Sequence, residues 1–144
     1  MFGHILMVCT GNICRSPIAQ YLLQAQIKAQ HTKVRSAGLK ALEGHPADPQ
    51  AVILMKHRGF DLSTHRGKQL THRMLQEVPL ILVMETTQRL ALEATAPWTR
   101  GKIYTLGYWE AFEIPDPYRK PPSVFETVTA LIERGVAQWA QKLI

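Results

Sequence analysis

Apolar and polar residues follow each other along the chain in blocks that predict strands separated by helices. Four short apolar runs predict buried strands at residues 4–8, 34–37, 80–84 and 102–106. The stretches between these runs place apolar residues at the spacing of amphipathic helices. Strands that alternate with helices are typical of a parallel sheet. The pattern therefore predicts a single α/β domain over residues 1–144, a three-layer sandwich with a four-stranded parallel sheet and helices on both faces.

Helix starts are marked by residues that suit a first turn. Ser16-Pro17 and Asp48-Pro49 each place a capping side chain before a proline, which predicts a helix N-terminus at both positions. At helical spacing, the first of these helices is expected to carry Ile18, Leu22, Ala25 and Ala29. Further helices are predicted at residues 71–75, at residues 87–95 and from a capping-box pattern at residues 123–126 to the C-terminal end. The residues between 107 and 122 include four prolines and predict a loop.

The most informative segment is residues 9–17, Cys-Thr-Gly-Asn-Ile-Cys-Arg-Ser-Pro, which joins the first predicted strand to the first predicted helix. Backbone N–H groups at a helix start lack partners within the helix and attract anions. Gly11 permits a tight turn with N–H groups pointing inward, and the Arg15 guanidinium matches two phosphate oxygens. The sequence therefore predicts a phosphate-binding loop formed by Thr10, Gly11, Asn12, Ile13, Cys14, Arg15 and Ser16.

Cys9 stands at the end of the predicted strand, where a thiolate would lie beneath the bound phosphorus and attack it. Ser16 is expected to cap the helix and to donate a hydrogen bond to that thiolate. Two other interpretations apply to Cys9 and Cys14: buried small apolar residues, or half of a zinc site. No second cysteine pair or closely spaced histidine pair completes a zinc site, so we expect no metal.

The basic residues of the chain are unevenly placed. The net charge is +6, and residues 1–42 contain five basic residues and no acidic one. A second basic cluster comprises Lys56, Arg58, Arg66, Lys68 and Arg73. A basic excess fits nucleic acid, an anionic membrane surface or a small anionic substrate. Nucleic-acid binding favours aromatic residues among the basic ones, and residues 22–42 contain none. We therefore expect no nucleic-acid partner and expect the charge to attract phosphorylated, acidic segments.

The sequence also bears on where the protein acts. The longest clean apolar run covers residues 80–84, far short of the roughly 20 residues that a membrane span needs. The first residues lack the basic region and cleavage site of a signal peptide, and the two cysteines are too close for a stabilising structural disulfide. We therefore expect a cytoplasmic protein without membrane insertion, and the sequence leaves its oligomeric state open.

The segment from Cys9 to Pro17 resembles the signature loop of the low-molecular-weight protein tyrosine phosphatases, and the resemblance covers essentially the whole chain. Asp116-Pro117-Tyr118 resembles the general-acid loop of that family. Residues 38–42, 100–102 and 114–120 are most similar to the bacterial branch encoded with capsule and exopolysaccharide machinery. The resemblance implies hydrolysis of phosphotyrosine through a cysteinyl-phosphate, without cofactor, on a partner that is a tyrosine autokinase controlling polysaccharide synthesis and export.

The resemblance also implies a role for individual residues. It makes Cys9 the nucleophile, Arg15 the phosphate ligand and Asp116 the general acid for the leaving phenolate. Two supporting residues, Ser36 and His65, are expected to hydrogen-bond Asn12, while Leu42 and Tyr118 are expected to form the walls of the substrate pocket. From the residues alone, Asp116 could equally cap a turn, and His65 could equally be a surface histidine.

Two related functions make different demands on the sequence. Thioredoxin-coupled arsenate reductases share the loop but need resolving cysteines further along the chain, and no cysteine follows Cys14. A catalytically silent phospho-ligand module would not need Cys9, Arg15 and Asp116 together. Because Cys14 is close to Cys9 in the loop, we also expect peroxide to form a reversible disulfide between them.

Overall fold

A computed structural model describes residues 3–27 and 31–143, and its centre is a sheet of four parallel strands in the order β2-β1-β3-β4. The strands are β1 (His4–Cys9), β2 (Lys33–Gly38), β3 (Leu80–Val83) and β4 (Ile103–Thr105). All four lie where the apolar runs predict them. Strand β1 pairs with β2 on one side and β3 on the other. The chain leaves β1 first toward one edge and later toward the other, so the end of β1 is a topological switch point, where α/β folds bind ligands.

Helices cover both faces of the sheet. They are α1 (Arg15–Ile27), α2 (Pro49–His57), α3 (His72–Glu77), α4 (Thr86–Thr95) and α5 (Pro122–Leu143). Alternate residues of β1 face opposite sides, so Ile5 and Met7 pack with α1, α2 and α5, whereas Leu6 and Val8 pack with α3 and α4. The three-layer α/β prediction is confirmed. No helix in residues 3–27 and 31–143 has the length and apolar character of a membrane span.

Some boundaries differ from the sequence prediction. Helix α1 begins at Arg15, so Ser16 lies inside the first turn rather than capping it. Helix α5 likewise begins at Pro122, one residue before the predicted capping serine. A short 3₁₀ helix at Tyr108–Glu110 occupies part of the predicted loop. Lys28 and Ala29 lie outside the described residues.

Helix α5 approaches the end of β4 closely at Gly135. A Cβ atom at this position would lie 2.9 Å from both the carbonyl oxygen and Cγ of Leu106. In an open helix, Gly135→Ala would stabilise the protein by up to about 1 kcal/mol, whereas overpacking costs about 1–3 kcal/mol. We therefore expect Gly135→Ala to lower the free energy of unfolding by about 1 kcal/mol in urea denaturation. Ala137→Gly at an exposed position of α5 is the control for helix propensity, and a more stable Gly135→Ala variant would contradict the close packing.

Candidate active site

The loop between β1 and α1 wraps around the sulfur of Cys9. Asn12 adopts a left-handed backbone conformation with φ 59°, which asparagine tolerates better than most residues. This sharp turn brings the Asn12 backbone N–H to 3.3 Å from Cys9 Sγ, to which it donates a hydrogen bond. Both residues are buried. The sulfur therefore sits at the C-terminal edge of the sheet, beside the first turn of α1.

Ser16 is the second neighbour of the sulfur. Its Oγ lies 2.9 Å from Cys9 Sγ and accepts a hydrogen bond of 2.7 Å from Asn12 Nδ2. Because the amide of Asn12 already donates to this oxygen, the serine proton can point at the sulfur when Cys9 is a thiolate. The expected Ser16–Cys9 hydrogen-bond geometry is present, although Ser16 is not the helix cap. The thiolate would thus have two donors, one from the backbone and one from a hydroxyl.

The other polar groups of Asn12 are held by residues 65–68. The backbone N–H of Lys68 donates to Asn12 Oδ1 at 2.9 Å, and His65 Nε2 lies 2.7 Å from the Asn12 carbonyl oxygen. The expected contact between His65 and Asn12 is therefore made, at the backbone of Asn12. Burial lowers the pKa of His65, and nearby Lys68 and Arg66 lower it further. A neutral imidazole must carry its proton on Nε2 to donate to this carbonyl.

Ser36 does not brace Asn12, and that expectation is wrong. Its hydroxyl donates instead to Gln20 Oε1 at 2.5 Å, across the gap between β2 and α1. Ser36 lies in the middle of β2, paired in register with Met7 and two residues before the strand end at Gly38. Gln20 is nearer than the loop, because α1 packs directly along β2. Ser36 therefore fastens α1 to the sheet rather than supporting the loop.

Arg15 is buried beneath the loop by partners from distant parts of the chain. Its Nη1 donates to Glu85 Oε1 at 2.6 Å and to the Ile114 carbonyl at 2.8 Å, while Nη2 lies 3.9 Å from Asp116 Oδ2. Only 2% of the Arg15 side chain is exposed. A buried guanidinium requires such partners, and they fix the direction in which Nη2 points.

Glu85 and Gln88 are site residues that the sequence analysis missed. Glu85 caps α4, and Gln88 Nε2 donates to Thr10 Oγ1 at 3.3 Å. Gln88 Oε1 also accepts hydrogen bonds from the backbone N–H groups of Met84 and Glu85. Both residues follow β3 at the edge where parallel sheets bind ligands. That position was the available signal, and it identifies them only once β3 is known to lie beside β1.

Asp116 is carried by a loop that is anchored below it. The buried Ile114 donates its N–H to the Met84 carbonyl at 3.0 Å and receives Arg15 on its own carbonyl. Asp116 Oδ1 accepts a hydrogen bond from the Tyr118 N–H at 3.0 Å. The Asp116 side chain is 51% exposed, so its second oxygen can reach a bound substrate. Asp116 therefore combines the turn-capping contact of the alternative interpretation with a position over the loop.

These elements enclose a cavity of about 320 Å³ above the Cys9 loop. All the predicted loop residues except Ser16 line it, together with Cys9, Lys40, Leu42, Asp116, Tyr118 and Arg119. The Arg119 guanidinium lies 5.2 Å from the centre of the Tyr118 ring. Leu42 and Tyr118 are each 37% exposed at the rim. Both predicted wall residues thus border the cavity, and two cations join them.

The rim at residues 38–42 is bound to the loop through the backbone. The N–H groups of Leu39, Lys40 and Leu42 donate to the carbonyls of Cys9, Thr10 and Gly11. A Cβ atom on Gly38 would lie 2.5 Å from the Thr10 carbonyl oxygen, so this approach requires glycine. The wall at Leu42 is therefore held at a fixed distance from the Cys9 sulfur.

Cys14 is the second thiol of the loop and is almost fully buried. Burial raises the pKa of Cys14, and the charge of Asp48 raises it further, so its thiol stays protonated near neutral pH. Neither cysteine is in a disulfide. Within residues 3–27 and 31–143, no three histidine, cysteine or acidic side chains are grouped closely enough to hold a metal ion.

The depressed pKa of His65 predicts how folding stability depends on pH. The unfolded chain takes up a proton at His65 near pH 6.5, whereas the folded chain resists it because the ring is buried. The unfolded state therefore binds more protons, and the free energy of unfolding falls as pH drops below about 6.5.

We expect the stability advantage of the wild type over His65→Gln to shrink between pH 7.5 and pH 5, measured by urea denaturation. His57→Gln, at an exposed position of α2, controls for loss of an imidazole. A constant difference between wild type and His65→Gln across this range would show that burial of His65 does not exclude its proton.

Comparison with known proteins agrees with this site. Residues 4–144 match the family described as low molecular weight phosphotyrosine protein phosphatase. The probable low molecular weight protein-tyrosine-phosphatase EpsP of Ralstonia nicotianae is 45% identical over 143 residues, covering 99% of this chain and 97% of that protein. The crystal structure of the tyrosine phosphatase Wzb from Escherichia coli K30 in complex with sulphate has a TM-score of 0.94 and 40% identity over the whole of both chains.

A second solved structure, Vibrio vulnificus Wzb in complex with benzylphosphonate, has a TM-score of 0.93 and 39% identity over 99% of each chain. The family that the loop sequence resembles is therefore confirmed. The chain belongs to the low molecular weight phosphotyrosine protein phosphatase family and is a protein-tyrosine phosphatase.

Proposed function

We propose that the protein hydrolyses phosphotyrosine in two steps through a phosphate covalently bound to Cys9. The observation that carries this proposal is the position of Cys9 Sγ, between the Asn12 N–H and the Ser16 hydroxyl at the base of a cavity that Asp116 overlooks. In the first step the S–P bond forms as the P–O bond to the phenol breaks. Asp116 gives its proton to the departing phenolate oxygen.

The second step regenerates the enzyme with the same residues. Asp116, now a carboxylate, takes a proton from a water molecule, and the water oxygen attacks phosphorus. The S–P bond breaks, inorganic phosphate leaves, and Cys9 returns to the thiolate stabilised by Ser16 and the Asn12 N–H. All proton transfers use the protein and water, so the cycle requires no metal or cofactor.

We assign to Arg15 and the loop N–H groups the stabilisation of the negative charge on the three equatorial phosphoryl oxygens. Glu85 and the Ile114 carbonyl occupy Nη1 of Arg15, which supports Nη2 as the group that turns to phosphate. Because Ile114 lies two residues before Asp116, the same arginine would couple phosphate binding to the position of the acid. Ser36 has no assigned role in this chemistry, whereas His65 is assigned to holding Asn12.

The residues at the rim of the cavity favour a substrate with an aromatic leaving group. Leu42 and Tyr118 offer apolar surface at the rim of the cavity, and Tyr118 can stack on a substrate ring. Wzb of Vibrio vulnificus is similar to this chain and was solved with benzylphosphonate, a phosphonate that carries a phenyl ring. A phosphorylated tyrosine on a protein is therefore the proposed substrate.

The proposed physiological partner is a bacterial tyrosine autokinase that controls exopolysaccharide or capsule synthesis and export. The similarity of residues 38–42 and 114–120 to the polysaccharide-associated branch supports this partner, as does the similarity to EpsP and Wzb. The proposed location is the cytoplasm, a reducing compartment that keeps free thiols such as Cys9 and Cys14 from forming disulfides.

Substitution of the nucleophile and the acid tests the mechanism. We expect Cys9→Ser to abolish hydrolysis of both phosphotyrosine and p-nitrophenyl phosphate. Asp116→Ala should lower kcat on phosphotyrosine by about 10²–10⁴-fold, and less on p-nitrophenyl phosphate, because its more acidic phenol needs less protonation. Glu113→Ala, at an exposed carboxylate in the same loop, is the matched control. Substantial activity in Cys9→Ser, or equal losses on both substrates in Asp116→Ala, would contradict these roles.

Peroxide treatment tests the proposed redox partnership of the two cysteines. Peroxide would convert the Cys9 thiolate to a sulfenic acid, and Cys14 would then form the disulfide with loss of water. Because burial keeps Cys14 protonated, the second step should become faster as pH rises from 7 to 9. After inactivation by peroxide, a thiol reductant should restore the activity of the wild type but not that of Cys14→Ser. Recovered activity and mass spectrometry measure this difference. Equal recovery of Cys14→Ser and wild type would contradict the protective disulfide.

A further inference from the structure

A second cavity of about 650 Å³ runs along the edge of the sheet formed by β2. Its walls come from both sides of the sheet, with Gln20 and Tyr21 of α1 on one side and Met74 and Glu77 of α3 on the other. Residues 64–66 and Lys68 complete the wall. We call this cavity the β2-edge groove, and the catalytic mechanism does not use it.

The backbone of β2 is partly open toward this groove. On the β1 side, the Lys33 N–H donates to the Gly3 carbonyl and the Leu39 N–H donates to the Cys9 carbonyl. The backbone N–H and C=O groups of the odd-numbered residues of β2 therefore point toward β1, and those of the even-numbered residues point toward the edge. At the edge, Gln24 Oε1 accepts a hydrogen bond from the Val34 N–H, and the Lys68 carbonyl accepts one from the Gly38 N–H. No hydrogen bond from the described residues reaches the backbone of Ser36 between them. Ser36 is only 7% exposed and Gln20 Nε2 bonds the neighbouring Val34 carbonyl, so an added peptide segment would reach this single unpaired position from within the groove.

The groove carries a positive charge that its own residues do not neutralise. Lys33, Arg35, Arg66 and Lys68 line it, and none of these four makes an ion pair with the residues that the structure describes. Glu77 is the one acidic side chain in the lining, and it pairs with Arg73. By contrast, Arg58 of the predicted basic cluster is neutralised by Glu126 and Glu133. Four positive charges in the groove therefore remain without an acidic partner among the described residues.

Apolar side chains between the cations define the kind of ligand. Tyr21, Val34, Met74 and Val78 line the groove alongside the four basic residues. A polyphosphate or a nucleic-acid backbone gains nothing from such apolar contacts, whereas an extended peptide with alternating acidic and apolar side chains uses both. The open backbone position at Ser36 adds main-chain hydrogen bonds to that match.

We propose that the β2-edge groove docks an extended acidic segment of the phosphoprotein whose phosphotyrosine enters the catalytic cavity. The description of that segment as part of a substrate rests on the proposed phosphatase function. The groove and the cavity share a wall, because Lys68 donates its backbone N–H to Asn12 and His65 bonds the Asn12 carbonyl. A docked segment would thus raise the local concentration of phosphotyrosine at Cys9.

Binding of an unphosphorylated peptide tests the groove separately from catalysis. The probe is a fluorescein-labelled peptide of alternating glutamate and valine, followed by fluorescence anisotropy at low salt. Lys33→Glu/Arg35→Glu should raise the Kd of the peptide by at least about tenfold, since both charges are reversed. Arg100→Glu/Lys142→Glu makes the same change in net charge at exposed positions away from the groove and should change Kd by less than about threefold.

Three further measurements complete the test. Saturating inorganic vanadate, which would occupy the catalytic cavity, should not displace the peptide. All variants should hydrolyse p-nitrophenyl phosphate with wild-type kcat/KM, which also shows that they fold. Should the charge reversal disturb folding, Lys33→Gln/Arg35→Gln serves in its place. For a phosphotyrosine peptide extended by the acidic segment, the groove variant should raise KM without lowering kcat.

Specific results would overturn the proposal. Equal weakening by the groove and control variants would assign binding to general charge, and displacement by vanadate would place the peptide in the catalytic cavity. An oligonucleotide or an anionic vesicle that competes as strongly as the peptide at equal charge would reveal a general polyanion surface. Failure of the phosphatase function itself would appear differently, as absent hydrolysis in a wild type that still binds the peptide.

Discussion

The catalytic loop depends on the left-handed turn at Asn12 and on the four hydrogen bonds that hold it. A left-handed backbone costs roughly 1–2 kcal/mol for most residues, and here the contacts to Cys9, Ser16, His65 and Lys68 offset that cost. The same turn aims the Asn12 N–H at the Cys9 sulfur and leaves the Ser16 proton free to do likewise. Two partners of Asn12 come from residues 65–68, which also form one wall of the β2-edge groove. Stabilisation of the nucleophile and docking of a substrate segment therefore share a structural element.

Burial of Arg15 is the second constraint, because it ties distant segments to the phosphate site. An isolated buried cation is very costly, and Glu85, the Ile114 carbonyl and Asp116 supply the compensating charge and hydrogen bonds. These partners come from the end of β3 and from the loop before α5. Burial of Arg15 therefore requires both segments to pack against the phosphate loop. A phosphate group would join an arginine that is already oriented, which reduces the reorganisation needed during the reaction.

Most of the fold and the loop could be predicted from the sequence, because they depend on local signals. The four strands follow from apolar runs, and the phosphate loop follows from Gly11, Arg15 and the helix start beside them. Contacts across long separations were harder to predict. Glu85 accepts a hydrogen bond from Arg15, which lies 70 positions earlier in the chain. The Ser36 hydroxyl donates to Gln20 of the adjacent helix instead of bonding Asn12. The basic residues formed two clusters in the sequence, but folding pairs Arg58 and Arg73 with glutamates and brings Arg35 and Lys68 to one groove.

The central claim is that the side chain of Asn12 shapes the loop that binds phosphate and stabilises the Cys9 thiolate. The inhibition constant of inorganic vanadate, compared among wild type, Asn12→Gly and Asn12→Ala, tests it most directly. Asn12→Gly keeps access to the left-handed backbone but loses the bonds to Ser16 and Lys68, so vanadate should bind about tenfold more weakly. Asn12→Ala also strains the turn and should bind vanadate more weakly still. If vanadate inhibited both variants with the inhibition constant of the wild type, the claim would be contradicted, since the loop would then hold its shape without this side chain.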